Sequence, residues 1–367
     1  MELCIIYNYA QHYRSSIFEL IDQEFDCDFI FGNSYLDVKK MDYSLLTGRV
    51  IEVPTIKIGP WSYRPGIQKL LWQKYDSYIL LGETHVLSTW LFCIRARLFH
   101  PKKKIYFWSH GWYGKERFHE RVLKRFFFHL PNGGIFLYGN YARDLMIKEG
   151  FDPDRLYVIH NSLAYNQQLA IRKDLMLTGI YSNHFGNTNP NLFFVGRLTK
   201  VKKLDQVIRA LYVLNTQGQQ YNMTIVGAGE TEADLKRLVT KLGLESQVWF
   251  FGPCYDETVL GEMIYNADLC VSPGNVGLTA MHAMVFGTPV LIHNDFANQM
   301  PEFEAIHDGE TGAFFKIDDI SSLADGISEW FAQKGDKRED VRKACMKEID
   351  ENWTPQFQIE VLKKYLK

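Results

Sequence analysis

Short apolar runs alternate with amphipathic segments along nearly the whole chain, and that alternation narrows the fold more than any single motif. The runs "LCIIYNY", "CDFIFGN", "SYILLG", "KIYFWSH", "GIFLYG" and "LYVIHN" are separated by segments with helical spacing such as "SSIFELIDQEF" and "NYARDLMIKEGF". Strands of this kind, each followed by a helix, form βαβ units on a parallel sheet. The pattern loosens into the polar "SNHFGNTNP" before residue 190, and a second series follows: "NLFFVG", "NMTIVG", "VWFFG", "DLCVSP" and "PVLIH". With 367 residues, 46% of them hydrophobic, the chain has length and apolar content for two cores. The expectation is an α/β protein of two Rossmann-like domains, 1–180 and 181–350. The closing "TPQFQIEVLKKYLK" reads as a helix, 351–367, crossing back to the N-terminal domain.

Composition removes several function classes. A net charge of −2 implies no global attraction to nucleic acid. The six cysteines, Cys4, Cys27, Cys93, Cys254, Cys270 and Cys345, lack metal-ligand or CxxC spacing, as reduced core cysteines of a cytosolic protein do. The N-terminal "MELCIIYNY" reads as a first strand and not as a signal peptide. "YILLGETHVLSTWLFCI" is broken by Glu83 and His85 and is short for a membrane span. Gly227-Ala228-Gly229 has Glu232 where a dinucleotide fingerprint needs its third glycine, and no Walker loop occurs. Asp152-Pro153-Asp154 spells a metal-type motif but sits in a helix-to-strand turn, and Asp26-Cys27-Asp28 enters a strand. Histidines are dispersed, without zinc spacing, and no carboxylate pair stands out as an acid/base set.

Two stretches of the second half carry chemistry. In "SPGNVGLTAMHAMVFGTP" a loop of small residues, Gly274 to Gly277, feeds a helix beginning near Leu278 and stopping at Gly287. Its first amides and its dipole favour an anion, although any tight βα loop has this outline. In "FVGRLTKVKKLDQVI", Arg197 directly follows a strand and Lys202 lies five residues on. The pair could clamp a diphosphate, by a forked guanidinium contact and a compact ammonium charge, or form a solvated cationic turn.

These residues resemble the nucleotide-sugar domain of the family 4, or group 1, glycosyltransferases. The matching segments are "FVGRLTKVKK", "TIVGAGE", "VWFFG", "ADLCVSP", "GLTAMHAMVFGTPVL" and "DGETGAFF", over about residues 191–315. The resemblance implies the GT-B fold, two Rossmann-like domains with parallel sheets facing across a cleft. It implies a retaining hexosyltransferase with a UDP- or GDP-sugar donor, no obligatory metal and no other cofactor. The acceptor would be a glycan or lipid-linked glycan on the N-terminal domain, in bacterial surface polysaccharide or lipopolysaccharide assembly. Arg197 and Lys202 would stabilise the leaving diphosphate, and the amides of Gly277, Leu278 and Thr279 would cap it. Tyr255 would lie by the base, and His110, at the end of "KIYFWSH", would approach the donor sugar unless it is a capping or core histidine.

The chain departs from the family at two positions. Where the family has glutamates eight residues apart, one for sugar hydroxyls and one for the ribose, this chain has Gly274 and His282. His282 could bond a ribose hydroxyl or be a satisfied helix histidine, and Asn275 could reach the sugar. Glu302 and Glu304 could return a carboxylate. The missing pair keeps open a non-catalytic nucleotide-sugar-binding homologue, and the fold keeps open a sugar-nucleotide epimerase. Residues 95–125 are basic and rich in aromatics, with Arg95, Arg97, Lys102, Lys103, Lys104, Lys115, Arg117, Arg121, Lys124 and Arg125. Such a segment suits peripheral contact with the anionic inner face of the cell membrane or, alternatively, a solvated face over a conventional core. No nucleic-acid recognition module accompanies the charge.

Overall fold

The computed structural model describes residues 2–33 and 39–366. They form two compact units: Met1–Ala164 joined by Thr354–Lys367, and Tyr165–Trp353. The first unit is built on strands β1 (Glu2–Tyr7), β2 (Asp26–Gly32), β3 (Val50–Val53), β6 (Ser77–Leu81), β7 (Lys104–Ser109), β8 (Gly134–Leu137) and β9 (Leu156–Val158). They make a parallel sheet in the order β3-β2-β1-β6-β7-β8-β9, and β4 (Ile56–Ile58) and β5 (Trp61–Tyr63) form a separate antiparallel hairpin.

Successive residues of each central strand serve opposite faces. Ile5, Tyr7, Ile79 and Trp108 belong to one buried cluster, and Cys4, Ile6, Leu80 and Phe107 to the other. That two-sided burial is why these strands are almost wholly apolar. Phe18 and Ile21 of the helix Ser15–Glu24 cover the first face, joined by Ile359 and Leu362 of the terminal helix Pro355–Tyr365. Thr354 caps that last helix by accepting the Phe357 amide.

The second unit holds β10 (Asn191–Val195), β11 (Asn222–Val226), β12 (Val248–Gly252), β13 (Leu269–Ser272), β14 (Val290–His293) and β15 (Gly312–Phe315). These are all parallel, in the order β12-β11-β10-β13-β14-β15. The strand order therefore reverses between β10 and β13, and in the first unit between β1 and β6. In open α/β sheets the carboxyl ends of such neighbouring strands are where ligands sit.

The division falls at 164/165 and at 353/354, where composition points to 180 and 350. The helix Tyr165–Arg172 lies in the second unit because Arg172 pairs with Asp350 at 2.7 Å and donates to the Val285 carbonyl. Three strands escape the sequence pattern: β3 is a half-buried edge, the three residues of β4 are exposed, and β5 completes the hairpin. Without a buried face there is no apolar run to read.

Candidate functional site

Beyond β10 the chain runs Gly196, Arg197, Leu198, Thr199 into a single helical turn, Lys200–Lys202. This loop is held from both sides. The Leu198 amide donates to the Ala228 carbonyl at 2.9 Å, the Thr231 amide returns to the Leu198 carbonyl at 3.0 Å, and the Gly274 amide donates to the Lys202 carbonyl at 3.1 Å.

Three glycines make the approach possible. A Cβ on Gly227 would stand 1.9 Å from the Gly196 carbonyl oxygen, one on Gly229 2.3 Å from that of Leu198, and one on Gly274 1.9 Å from that of Val201. Backbone lies against backbone, so no side chain fits at any of the three. Gly227 and Gly229 are thus packing glycines for the cationic loop. Gly274 excludes any carboxylate from the position where the resembled family carries one.

Lys202 is the most perturbed cation of this loop. Burial pushes its ammonium down to about 8, Glu302 opposes the shift and Arg197 adds to it. Its Nζ donates to the Asn275 carbonyl at 2.7 Å. Arg197 is exposed, and Glu302 is only 3% exposed. Asn275 Oδ1 is buried and has no hydrogen-bond partner among the described residues.

The helix Leu278–Val285 starts from Gly277 at φ 52°, a conformation that suits glycine. Thr279 ties this start to the end of β10, its Oγ1 donating to the Val195 carbonyl at 2.9 Å. Gln299, which sequence reasoning passed over, accepts the Val276 amide at 2.8 Å and donates to the His293 carbonyl at 3.0 Å. It fixes the loop from the β14 side, and a lone glutamine offers no motif by which to find it.

The loop, Arg197, Lys202, Asn275, Gly277, Leu278 and Thr279 are therefore brought to the carboxyl ends of β10 and β13, with Glu302 beside Lys202. His282 lies one turn further along its helix, half-buried, with Nδ1 3.5 Å from Gln168 Nε2, which also donates to Glu257 at 3.1 Å. Glu304 is half-buried in the same short turn as Glu302, Pro301–Ala305. Tyr255 is 87% exposed beyond β12. The Asp152 carboxylate caps its own turn by accepting the Asp154 amide at 3.0 Å. Among the described residues no group of His, Cys, Asp and Glu is placed to hold a metal ion.

His110 belongs to the first unit, at the end of β7. Its ring lies 4.7 Å from that of Tyr138, and burial, with Arg14 and Lys124 adding, lowers its pKa to about 4, so it is neutral at pH 7. The basic segment around it is of mixed character. Tyr106, Phe107, Trp108, Trp112, Phe127 and Phe128 are core, while Phe99, Phe118 and Phe126 are 64%, 81% and 69% exposed. Lys103 donates to the Gln73 and Tyr75 carbonyls and Lys124 pairs with Glu116, so these two cations are structural. The other lysines and arginines of the segment include Arg95, Lys102, Lys104, Lys115, Arg117 and Arg125.

Residues 181–348 match the family described as glycosyl transferases group 1. The Bacillus subtilis putative glycosyltransferase EpsD is 27% identical over 143 residues, 38% of this chain and 36% of that protein. The Erwinia amylovora amylovoran biosynthesis glycosyltransferase AmsK is 31% identical over 143 residues, 39% and 32% of the two chains. The matched segment thus spans about a third of the length of each of these two relatives. Among solved structures, Anabaena HepE in complex with UDP superposes with a TM-score of 0.74 at 15% identity, over 99% of both chains. The apo lipopolysaccharide outer core galactosyltransferase WaaB gives 0.72 at 14% identity, over 100% and 99%. The chain has the GT-B fold of these solved structures, and its residues 181–348 are similar to the glycosyl transferases group 1.

Proposed function

We propose that the protein is a retaining glycosyltransferase that moves a hexosyl group from a UDP- or GDP-sugar to a glycan or lipid-linked acceptor. The second unit holds the donor and the first the acceptor. One observation carries the reading: Lys202 and Arg197 stand on a loop immobilised by three glycines, beside a helix start whose amides are unused within the helix. Charge that builds on a leaving diphosphate is stabilised most by donors already in place. HepE, of the same fold, is known in complex with UDP and with UDP-glucose, which supports a nucleotide-sugar donor. AmsK and WaaB, named for amylovoran and lipopolysaccharide, support surface polysaccharide assembly as the setting.

In this reading Lys202, Arg197 and the amides of Gly277, Leu278 and Thr279 bind the diphosphate, and Asn275, with its buried unpartnered Oδ1, receives a sugar hydroxyl. His282 bonds the ribose, Tyr255 lies by the base, and Glu302 sets the charge of Lys202. Neutral His110 serves as a hydrogen-bonding group of the first unit. The leaving phosphate accepts the acceptor's proton, so no separate protein base is needed.

The reaction takes place on the cytoplasmic face of the membrane. The helices Leu87–Phe99 and Phe118–Phe128, joined by Trp90 on Phe127, expose Leu98, Phe99, Phe118 and Phe126 beside Arg117 and Arg125, a composition suited to anionic lipid. Replacing Phe118 and Phe126 by serine should abolish sedimentation with anionic vesicles, and unchanged sedimentation would remove the membrane assignment.

The exclusion of a carboxylate at Gly274 favours a second reading, a nucleotide-sugar-binding protein without turnover. A thermal-shift screen against UDP, GDP, their sugars, AMP and NAD, followed by assay of donor hydrolysis, separates the two. A ligand of the folded state at a hundred times its Kd adds about 2.7 kcal/mol of stability. The transferase reading expects a shift with UDP or GDP alone and slow hydrolysis of the matching sugar conjugate. A shift without turnover selects the binding protein, and no shift removes both.

A further inference from the structure

Arg14 follows β1 by seven residues and is 5% exposed. Its guanidinium carbon lies 5.2 Å from the ring centre of Tyr7, 5.5 Å from that of Trp108 and 5.3 Å from that of Tyr138. Nη2 donates to the Tyr138 hydroxyl, and Nη1 has no partner among the described residues. The hydroxyls of Tyr7 and Tyr138 share a bond of 2.8 Å, and burial raises both phenols above their ordinary range, so neither supplies a negative charge. No described carboxylate forms an ion pair with Arg14. Arg64, equally buried at 2% exposure, shows the ordinary solution: its guanidinium lies 3.9 Å from the Glu83 carboxylate.

An arginine cannot discharge itself by losing its proton. Three aromatic faces attract the cation but are not a counter-ion. The groups around it repeat the deficit, because Trp108 Nε1 and His110 Nδ1 are buried without partners among the described residues. Tyr7, Trp108, His110 and Tyr138 stand at the carboxyl ends of β1, β7 and β8, the ligand-binding edge of such a sheet, and Arg14 lies in the turn His12–Arg14 that follows β1. His110 remains partly exposed, so the cluster is not sealed from solvent.

We infer that this edge of the first unit is a subsite for an acidic acceptor, with Arg14 as counter-ion to a carboxylate or phosphoryl group on the sugar that is extended. The inference rests on the reading that the first unit takes the acceptor. Arg197 and Lys202 already serve the donor's diphosphate, which leaves the charge at Arg14 to the other substrate. Trp108 Nε1 and His110 Nδ1 offer the additional bonds that an acid group with several oxygens requires.

The test uses the full chain with UDP in excess, so that the second unit's cations are occupied. Sodium glucuronate, glucose 1-phosphate and glucose are then added at equal concentration, and melting temperature and titration calorimetry are read. The expected result is a further rise with one of the two acids and none with glucose, the responding acid telling carboxylate from phosphoryl. Arg14→Met should remove that rise and leave the UDP response intact. Should Arg14→Met fail to fold, Arg14→Lys keeps the charge without the fork and should weaken acid binding at least threefold. No acid-specific rise in the parent chain, or an equal rise in both variants, overturns the subsite. Loss of the UDP response alone would instead strike the donor assignment, since an acid response that depends on Arg14 would stand without it.

Discussion

The two units use the same kind of sheet edge and build it from different material. At the end of β10 the site is made of backbone: glycines at 227, 229 and 274 let three loops touch, and the cations ride on the loop so fixed. At the end of β1 it is made of side chains, with Arg14, Trp108, His110 and Tyr138 drawn from three segments into one aromatic cluster. A backbone site tolerates changes of side chain at its rim and fails when a Cβ is added. A side-chain site should behave in the opposite way.

The sharpest way to break this contrast is Gly274→Glu, which restores the carboxylate that the resembled family has. Its Cβ would stand 1.9 Å from the Val201 oxygen and 2.8 Å from Lys202 Cα, so the two loops must separate. We expect loss of the UDP response and a destabilisation of at least about 1–3 kcal/mol, the usual range for overpacking. Measured melting temperature and UDP affinity check both, and a gain of affinity would show that the glycine is not there for contact.

Next in size is the loss of a cation from the same loop. Lys202→Ala removes a half-buried charge and should weaken UDP binding by about 1.5–3 kcal/mol, roughly ten- to 150-fold. Arg197→Ala, at an exposed position, should cost less than tenfold, since solvent screens it. Calorimetric titration of the two variants tests the order, and equal losses would place Arg197 deeper in the bound complex than it lies here.

In the first unit the corresponding variant is Tyr138→Phe. It deletes the hydroxyl that Arg14 and Tyr7 share, and leaving those buried groups unmet should cost about 1–3 kcal/mol. The expected signature is a lower melting temperature with UDP affinity unchanged. A change in UDP affinity would mean that the hydroxyl serves the donor as well.

The same difference in material decides what could be read in advance. Both parallel sheets were legible, because buried strands have to be apolar, and so were Arg197, Lys202 and the Gly277 loop, which lie in short contiguous stretches. That Gly274 faces Val201 was not, since the contact joins residues far apart in the chain. Arg14 was passed over for a related reason: in "AQHYRSS" it looks like a surface cation, and only the return of Tyr7, Trp108 and Tyr138 makes it buried. The segment 165–180 carries polar residues typical of a linker, yet its side chains Gln168 and Arg172 spend that polarity on Glu257 and Asp350 of the second unit.

The smallest effect, and the most specific to the backbone-held loop, is one of pH. Lys202 titrates near 8, against an ordinary value of 10.5, because the folded chain buries it. A diphosphate favours the charged form, so UDP affinity should be level below pH 7 and decline above it, by about fourfold between pH 7 and 8.5. Stability of the unliganded protein should move the other way from this group. Its folded pKa lies below its unfolded one, so the cost of burying the charge is present below pH 8 and relieved as the pH rises toward 10.5. Affinity that falls while the unliganded melting temperature does not is therefore the pattern to look for, and Lys202→Met should flatten both curves. Were affinity and stability to fall together, general unfolding at high pH would explain the loss, and the charge on Lys202 would no longer be needed to account for it.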